Sequence, residues 1–133
     1  MTRLLPLLVL VLVGCGTGVK LHPVTGQVTF ADGEVATLAG HHVEVALIEQ
    51  PTQRANGIIR PDGSFVLETL DAGTFRQGAQ AGTYQVRILL ADEDDQGNHL
   101  PRPPLARRYF SFAESGLSLT VPSGAVTLTV SKR

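Results

Sequence analysis

The residues able to do chemistry are few and scattered. Cys15 is the single cysteine, so its thiol could act as a nucleophile, accept a modification or pair between chains. One cysteine excludes an internal disulfide framework and any Cys-based structural zinc site. His41 and His42 are adjacent, and neighbours on a strand point to opposite faces, so the pair cannot readily chelate one transition metal. Together with His22 and His99 they read as surface histidines. Asp92-Glu93-Asp94-Asp95-Gln96-Gly97 carries the D-x-D-x-x-G spacing that opens a calcium loop. An EF-hand closes that loop with a bidentate acid at position 12, and here that position is Pro103. Four adjacent acids ahead of Pro101, Pro103 and Pro104 therefore read as a solvated charge run, with weak calcium binding left open. Ser64, Ser111, Ser115, Ser118, Ser123 and Ser131 fall in turns or strand patterns, and none sits in a G-x-S-x-G elbow. Arg107-Arg108 beside Tyr109-Phe110 offers two cations, too few for a nucleic-acid groove. No catalytic residue, resident metal or cofactor is expected.

Bulk composition narrows the classes further. A length of 133 residues allows one ordinary domain. Eleven basic against twelve acidic side chains give a formal charge of −1, without the clustered positive charge of a nucleic-acid binder. The N-terminus is set apart from the rest. Arg3 is a short positive segment, and Leu4 to Val13 is a Leu/Val run broken only by Pro6. That run is far short of the roughly 20 residues a spanning helix needs, but it is the length of a signal-peptide core. It ends in Leu12-Val13-Gly14-Cys15, which resembles the processing site of bacterial lipoproteins. The resemblance implies that Leu12, Val13 and Gly14 are read by the signal peptidase and that Cys15 becomes the lipidated N-terminus. Position 16 is Gly rather than Asp, which under the sorting rule of enteric bacteria favours the outer membrane over the inner.

These residues must be positioned by whatever follows. Residues 1–14 are expected to be a signal peptide, 15–23 a lipidated Cys with a short tether, and 24–133 one domain. From Val24 onward apolar residues alternate with polar ones, the period of half-buried strands. Val43, Val45 and Leu47 share one face with Glu44 opposite; Tyr84, Val86, Ile88 and Leu90 face away from Gln85 and Arg87. Phe65 and Leu67, Leu117 to Val121 and Val126 to Val130 continue the pattern, and no convincing helical stripe interrupts it. Asp32-Gly33, Ala39-Gly40, Asp62-Gly63, Ala81-Gly82 and Pro122-Ser123-Gly124 punctuate the runs as turns. The expectation is an all-β fold, a single antiparallel β-sandwich of seven or eight strands. Its core is Val, Leu and Ile around Phe30, Phe65, Tyr84 and Phe110 or Phe112. Leu70 to Gln80 reads as a loose connector, and Asp92 to Leu105 as a long loop or edge crossover. Tyr109 and Phe110 read as strand neighbours, one of them in the core.

Several stretches resemble carboxypeptidase regulatory-like domains, which have a transthyretin-like sandwich. They are His22-Pro23-Val24-Thr25-Gly26-Gln27-Val28-Thr29-Phe30 with Asp32-Gly33-Glu34-Val35, then Pro61-Asp62-Gly63-Ser64-Phe65, then Ala81-Gly82-Thr83-Tyr84-Gln85-Val86. Arg108-Tyr109, Ser115-Gly116-Leu117 and Thr120-Val121 are similar to the last third of a version found in planctomycete lipoproteins. Gly40-His41-His42 departs from the family pattern, and Ala36-Thr37-Leu38 implies a longer first loop. A related enzyme family, the hydroxyisourate hydrolases, ends in Tyr-Arg-Gly-Ser, whereas this chain ends Ser131-Lys132-Arg133. The resemblance implies a non-enzymatic, lipid-anchored envelope protein whose sandwich is a structural or protein-interaction module. Its partners would be the membrane, through Cys15, and an envelope protein meeting the strand edges or the Asp92–Leu105 loop. A small-ligand or carbohydrate-binding module is the alternative, although the chain has no Trp and two Tyr for stacking against sugars.

Overall fold

A computed structural model describes residues 19–133. Cys15, Leu12, Val13 and Gly14 lie outside the described residues. The described residues form eleven strand segments and two short 3-10 turns. In order the strands are β1 (Leu21–His22), β2 (Thr25–Phe30), β3 (His42–Leu47), β4 (Arg54–Ile58), β5 (Ser64–Val66) and β6 (Glu68–Asp71). They continue with β7 (Thr74–Gln77), β8 (Ala79–Gln80), β9 (Gly82–Leu89), β10 (Ser118–Val121) and β11 (Val126–Val130). A six-stranded sheet has the order β10-β9-β3-β4-β6-β7, a three-stranded sheet the order β11-β2-β5, and β1 pairs with β8.

The fold is an all-β sandwich, and its core lies where the two larger sheets face each other. Val43 and Val45 of β3 and Tyr84, Val86 and Ile88 of β9 point in from the six-stranded sheet. Val28 and Phe30 of β2, Phe65 of β5, and Leu128 and Val130 of β11 meet them from the smaller one. Each such side chain taken from water contributes about 1.5–3 kcal/mol. The Tyr84 hydroxyl, carried inward with its ring, donates to the Gln80 carbonyl at 2.7 Å.

Four expectations change. The strand count is larger because single runs switch sheets. Leu67 alone separates β5, in the small sheet, from β6, in the large one, and Gly78 alone separates β7 from β8. One pairing is parallel: after β10 the chain crosses to the other sheet, and β11 runs alongside β2 from Val126↔Gly26 to Val130↔Phe30. The Leu70–Gln80 connector is instead a hairpin, β6–β7, closed by Ala72 (φ 50°) and Gly73 (φ 81°). Two successive left-handed residues make the hairpin twist that fits its strands, but Ala is an unusual first residue there and so gave no turn signal. Tyr109 and Phe110 belong to a 3-10 turn, Arg107–Phe110, rather than a strand. Tyr109 is the buried one, with its hydroxyl against Arg108 and Ser131. The longer first loop at Ala36-Thr37-Leu38 is a second 3-10 turn, Val35–Leu38, which buries Leu38.

Candidate binding groove on the outer sheet face

The outward side chains of the six-stranded sheet follow from its register. Arg87↔Glu44↔Asn56↔Glu68↔Gln77 form one row across five strands, and Leu89↔His42↔Ile58 form the next. The β9–β3 part of this face is covered around Glu44, whereas Gln85 and Leu89 of β9 stay exposed. Glu44, expected on a solvated face, is buried, and one of its carboxylate oxygens accepts from Arg87 Nη2 at 2.7 Å, Arg87 Nε at 3.0 Å and Arg54 Nη1 at 3.4 Å. Phe112 lies over the pair, its ring centre 4.5 Å from the Arg87 guanidinium carbon and 5.2 Å from that of Arg54. Pairing and the ring's negative face compensate the guanidinium charges as the cover takes water away.

The β4–β6–β7 part of the same face is open and forms a groove of about 480 Å³. Ile58 and Phe75 form its apolar walls, 50% and 62% exposed. Asn56, Glu68 and Gln77 line it along one row, with His42 and Arg60 at one end. Gly57 belongs to its floor, where a side chain would run into the Val66 carbonyl. The lining supplies planar amide, carboxylate and guanidinium groups beside an exposed ring, but no hydroxyl, thiol or amine nucleophile. Such an arrangement binds through paired hydrogen bonds and apolar contact. Its signal in the sequence was the alternation itself, without any sign of which half of the face would be covered.

The histidines expected at the surface divide. His42 is half-buried at the groove end, whereas His41 is 1% exposed. Imidazole Nδ1 of His41 accepts from the Ala91 N–H at 3.1 Å, which places its proton on Nε2. Burial is the main cause that pushes its pKa below the ordinary histidine value, and the neighbouring His42 adds to it; the Pro101 carbonyl acts the other way. A cavity of about 220 Å³ lies between this imidazole and Asp92, His99 and Arg102. The two histidines do take opposite sides of the chain, lining different cavities.

In the acidic run the carboxylates turn to local work. Asp94 accepts from the backbone N–H groups of Asn98 at 2.8 Å and Gln96 at 2.9 Å, and from Asn98 Nδ2 at 3.2 Å. Those bonds, led by the Asn98 N–H, hold its pKa below the usual carboxylate range. Glu93 and His99 bridge across the resulting small turn. Among the described residues no three His, Cys, Asp or Glu side chains converge on a point that could hold a metal ion. Ser115 is buried, donating to the Val86 carbonyl and accepting from the Leu117 N–H at 3.1 Å, so it ties a loop to β9. Among the described residues no helix is long and apolar enough to cross a membrane. No family model, curated protein or solved structure matches the chain.

Proposed function

We propose that this is a lipid-anchored protein of the bacterial cell envelope whose transthyretin-like sandwich is a non-catalytic structural or protein-interaction module. One observation carries the reading: a positive residue, a short apolar core and Leu12-Val13-Gly14-Cys15 stand in that order just ahead of a chain patterned as strands. The thioether and amide-linked chains that lipoproteins carry on such a cysteine would hold it durably, since each buried methylene contributes about 0.8 kcal/mol. Gly16 favours the outer membrane or a periplasmic face. The test is intact mass and membrane fractionation from a diderm bacterium, wild type beside Cys15→Ala. The expected result is a lipid-sized mass increase and membrane recovery for wild type alone; two soluble, unmodified proteins would sink the reading.

A second reading, an extracytoplasmic module for a small ligand or carbohydrate, is favoured by the groove. Asn56, Gln77, Glu68 and Arg60 can each present two hydrogen-bonding atoms to neighbouring hydroxyls, with Phe75 packing against a sugar's C–H face. Titration of soluble glycans against ¹⁵N-labelled protein checks it. Saturable shifts of the Asn56 and Gln77 side-chain amides support it, and unmoved amides across the panel reject it.

A further inference from the structure

Of the six exposed large apolar residues among the described ones, Val19, Ile48, Leu70 and Phe75 lie toward one end of the six-stranded sheet. Strand directions establish this for three of them. The β6–β7 turn follows Asp71, and β4 begins at Arg54 beside the β3–β4 turn that holds Ile48; because β4 and β6 are antiparallel, both turns fall at the same end. Leu70 and Phe75 are direct cross-strand partners, 59% and 62% exposed. The fourth is placed by a contact: Arg76 of β7 donates to the Val19 carbonyl at 3.4 Å while pairing with Asp71 at 2.7 Å. The described chain therefore begins against this hairpin. The acidic run lies at the other end, where Glu93, Asp94 and Asp95 approach His42 and Ile58.

We propose that the β6–β7 hairpin is a membrane-docking surface, with Phe75 and Leu70 seated in the headgroup region of the bilayer that holds Cys15. The proposal rests on the lipid-anchor reading. Four residue steps separate Cys15 from Val19, and a fully extended chain covers about 14 Å in that span. Val19 is thus held within about 14 Å of the lipidated residue, at the membrane surface, and its contact with Arg76 keeps the hairpin there too. At that depth an exposed aromatic and an exposed leucine lose apolar surface from water. Lys20 stands at the level of the lipid phosphates, beside the Arg76–Asp71 ion pair. The four acids stay away from them, separated by roughly the length of β4 and the hairpin, about 20 Å at 3.3 Å per residue. Anchor and hairpin then act as two linked contacts, so the domain rests in one orientation instead of swinging about its tether. The outer groove, which Phe75 also lines, would open sideways along the membrane surface.

The test uses the full chain purified from a diderm host in its processed form. In that form the Cys15 sulfur is already a lipid thioether, so a cysteine introduced at Phe75→Cys, Leu70→Cys or Asp95→Cys is the only free thiol. Each variant is labelled with bimane and placed in phosphatidylethanolamine–phosphatidylglycerol vesicles containing doxyl lipids. Severalfold stronger quenching at positions 75 and 70 than at position 95 is expected. Equal quenching on a protein whose mass shows the lipid overturns the docking and leaves the anchor intact. A blue-shifted but unquenched label at 75 means that a second copy or another protein covers the edge, and also overturns it. A protein without the lipid mass ends the anchor reading and the docking with it.

Discussion

The two halves of the outer sheet face are built from the same alternating pattern and end up opposite in character. Over β9 and β3 a carboxylate, Glu44, is buried beneath Phe112 and two arginines. Over β4, β6 and β7, Phe75, Leu70 and Ile58 stand in solvent. A charge inside and large apolar side chains outside invert the usual arrangement. The segment after β9 brings Phe112 over Glu44, Arg87 and Arg54 and covers that patch, while the β4–β6–β7 surface beyond it stays open. A sealed charge must be paired, whereas an open apolar surface asks for something to cover it. The paired patch around Glu44 contributes to holding the domain together, whereas the exposed side chains of β4, β6 and β7 contribute little to it.

The covered patch is most sensitive at Glu44. Glu44→Ala leaves Arg87, about a quarter exposed, without its carboxylate under Phe112. A loss of roughly 2–3 kcal/mol is expected by chemical denaturation, below the range for fully buried pairs because both arginines reach water. A loss under half of that would mean the covered half is held by Phe112 alone.

Two phenylalanines test the contrast directly. Phe112→Ala removes packing and two cation–π contacts and is expected to cost about 1–2 kcal/mol, less than a fully buried ring because Phe112 is half-buried. Phe75→Ala should change stability by no more than about 0.5 kcal/mol, the cost of one exposed cross-strand pair. Paired thermal melts decide it, and equal losses would erase the distinction between the halves.

The smallest effect is expected from acid. His41 pins Ala91, the start of the segment that later delivers Phe112, and its folded pKa lies below its unfolded value. The unfolded chain then binds the proton more readily, so His41's contribution is fully present above about pH 6.5 and is lost as pH falls toward the folded pKa. Below that value it falls no further. Denaturation between pH 7.5 and 5 should show this shallow decline in wild type and its absence in His41→Asn. A decline of the same size in both would assign it to other groups.

Much of the fold was legible because strand alternation and Gly-containing turns are local signals. Tyr84, Val86 and Ile88 face the core as their spacing indicates, and Asp62-Gly63 turns the chain where expected, with Asp62 accepting from Ser64. The hairpin at Ala72-Gly73 was missed because left-handed Ala carries no sequence mark. The groove was missed for another reason. Asn56, Glu68 and Gln77 are unremarkable polar residues on three strands, and only register sets them in one row.

Sequence by itself determined the all-β character of residues from Val24 onward, since a period of two is written in neighbouring residues. Tertiary structure alone decided that β11 runs parallel to β2, that His41 is interior and that Glu44 is covered while Phe75 is not. Each of those depends on segments distant in the chain arriving side by side. An outward-facing residue has no burial of its own until another part of the molecule reaches it.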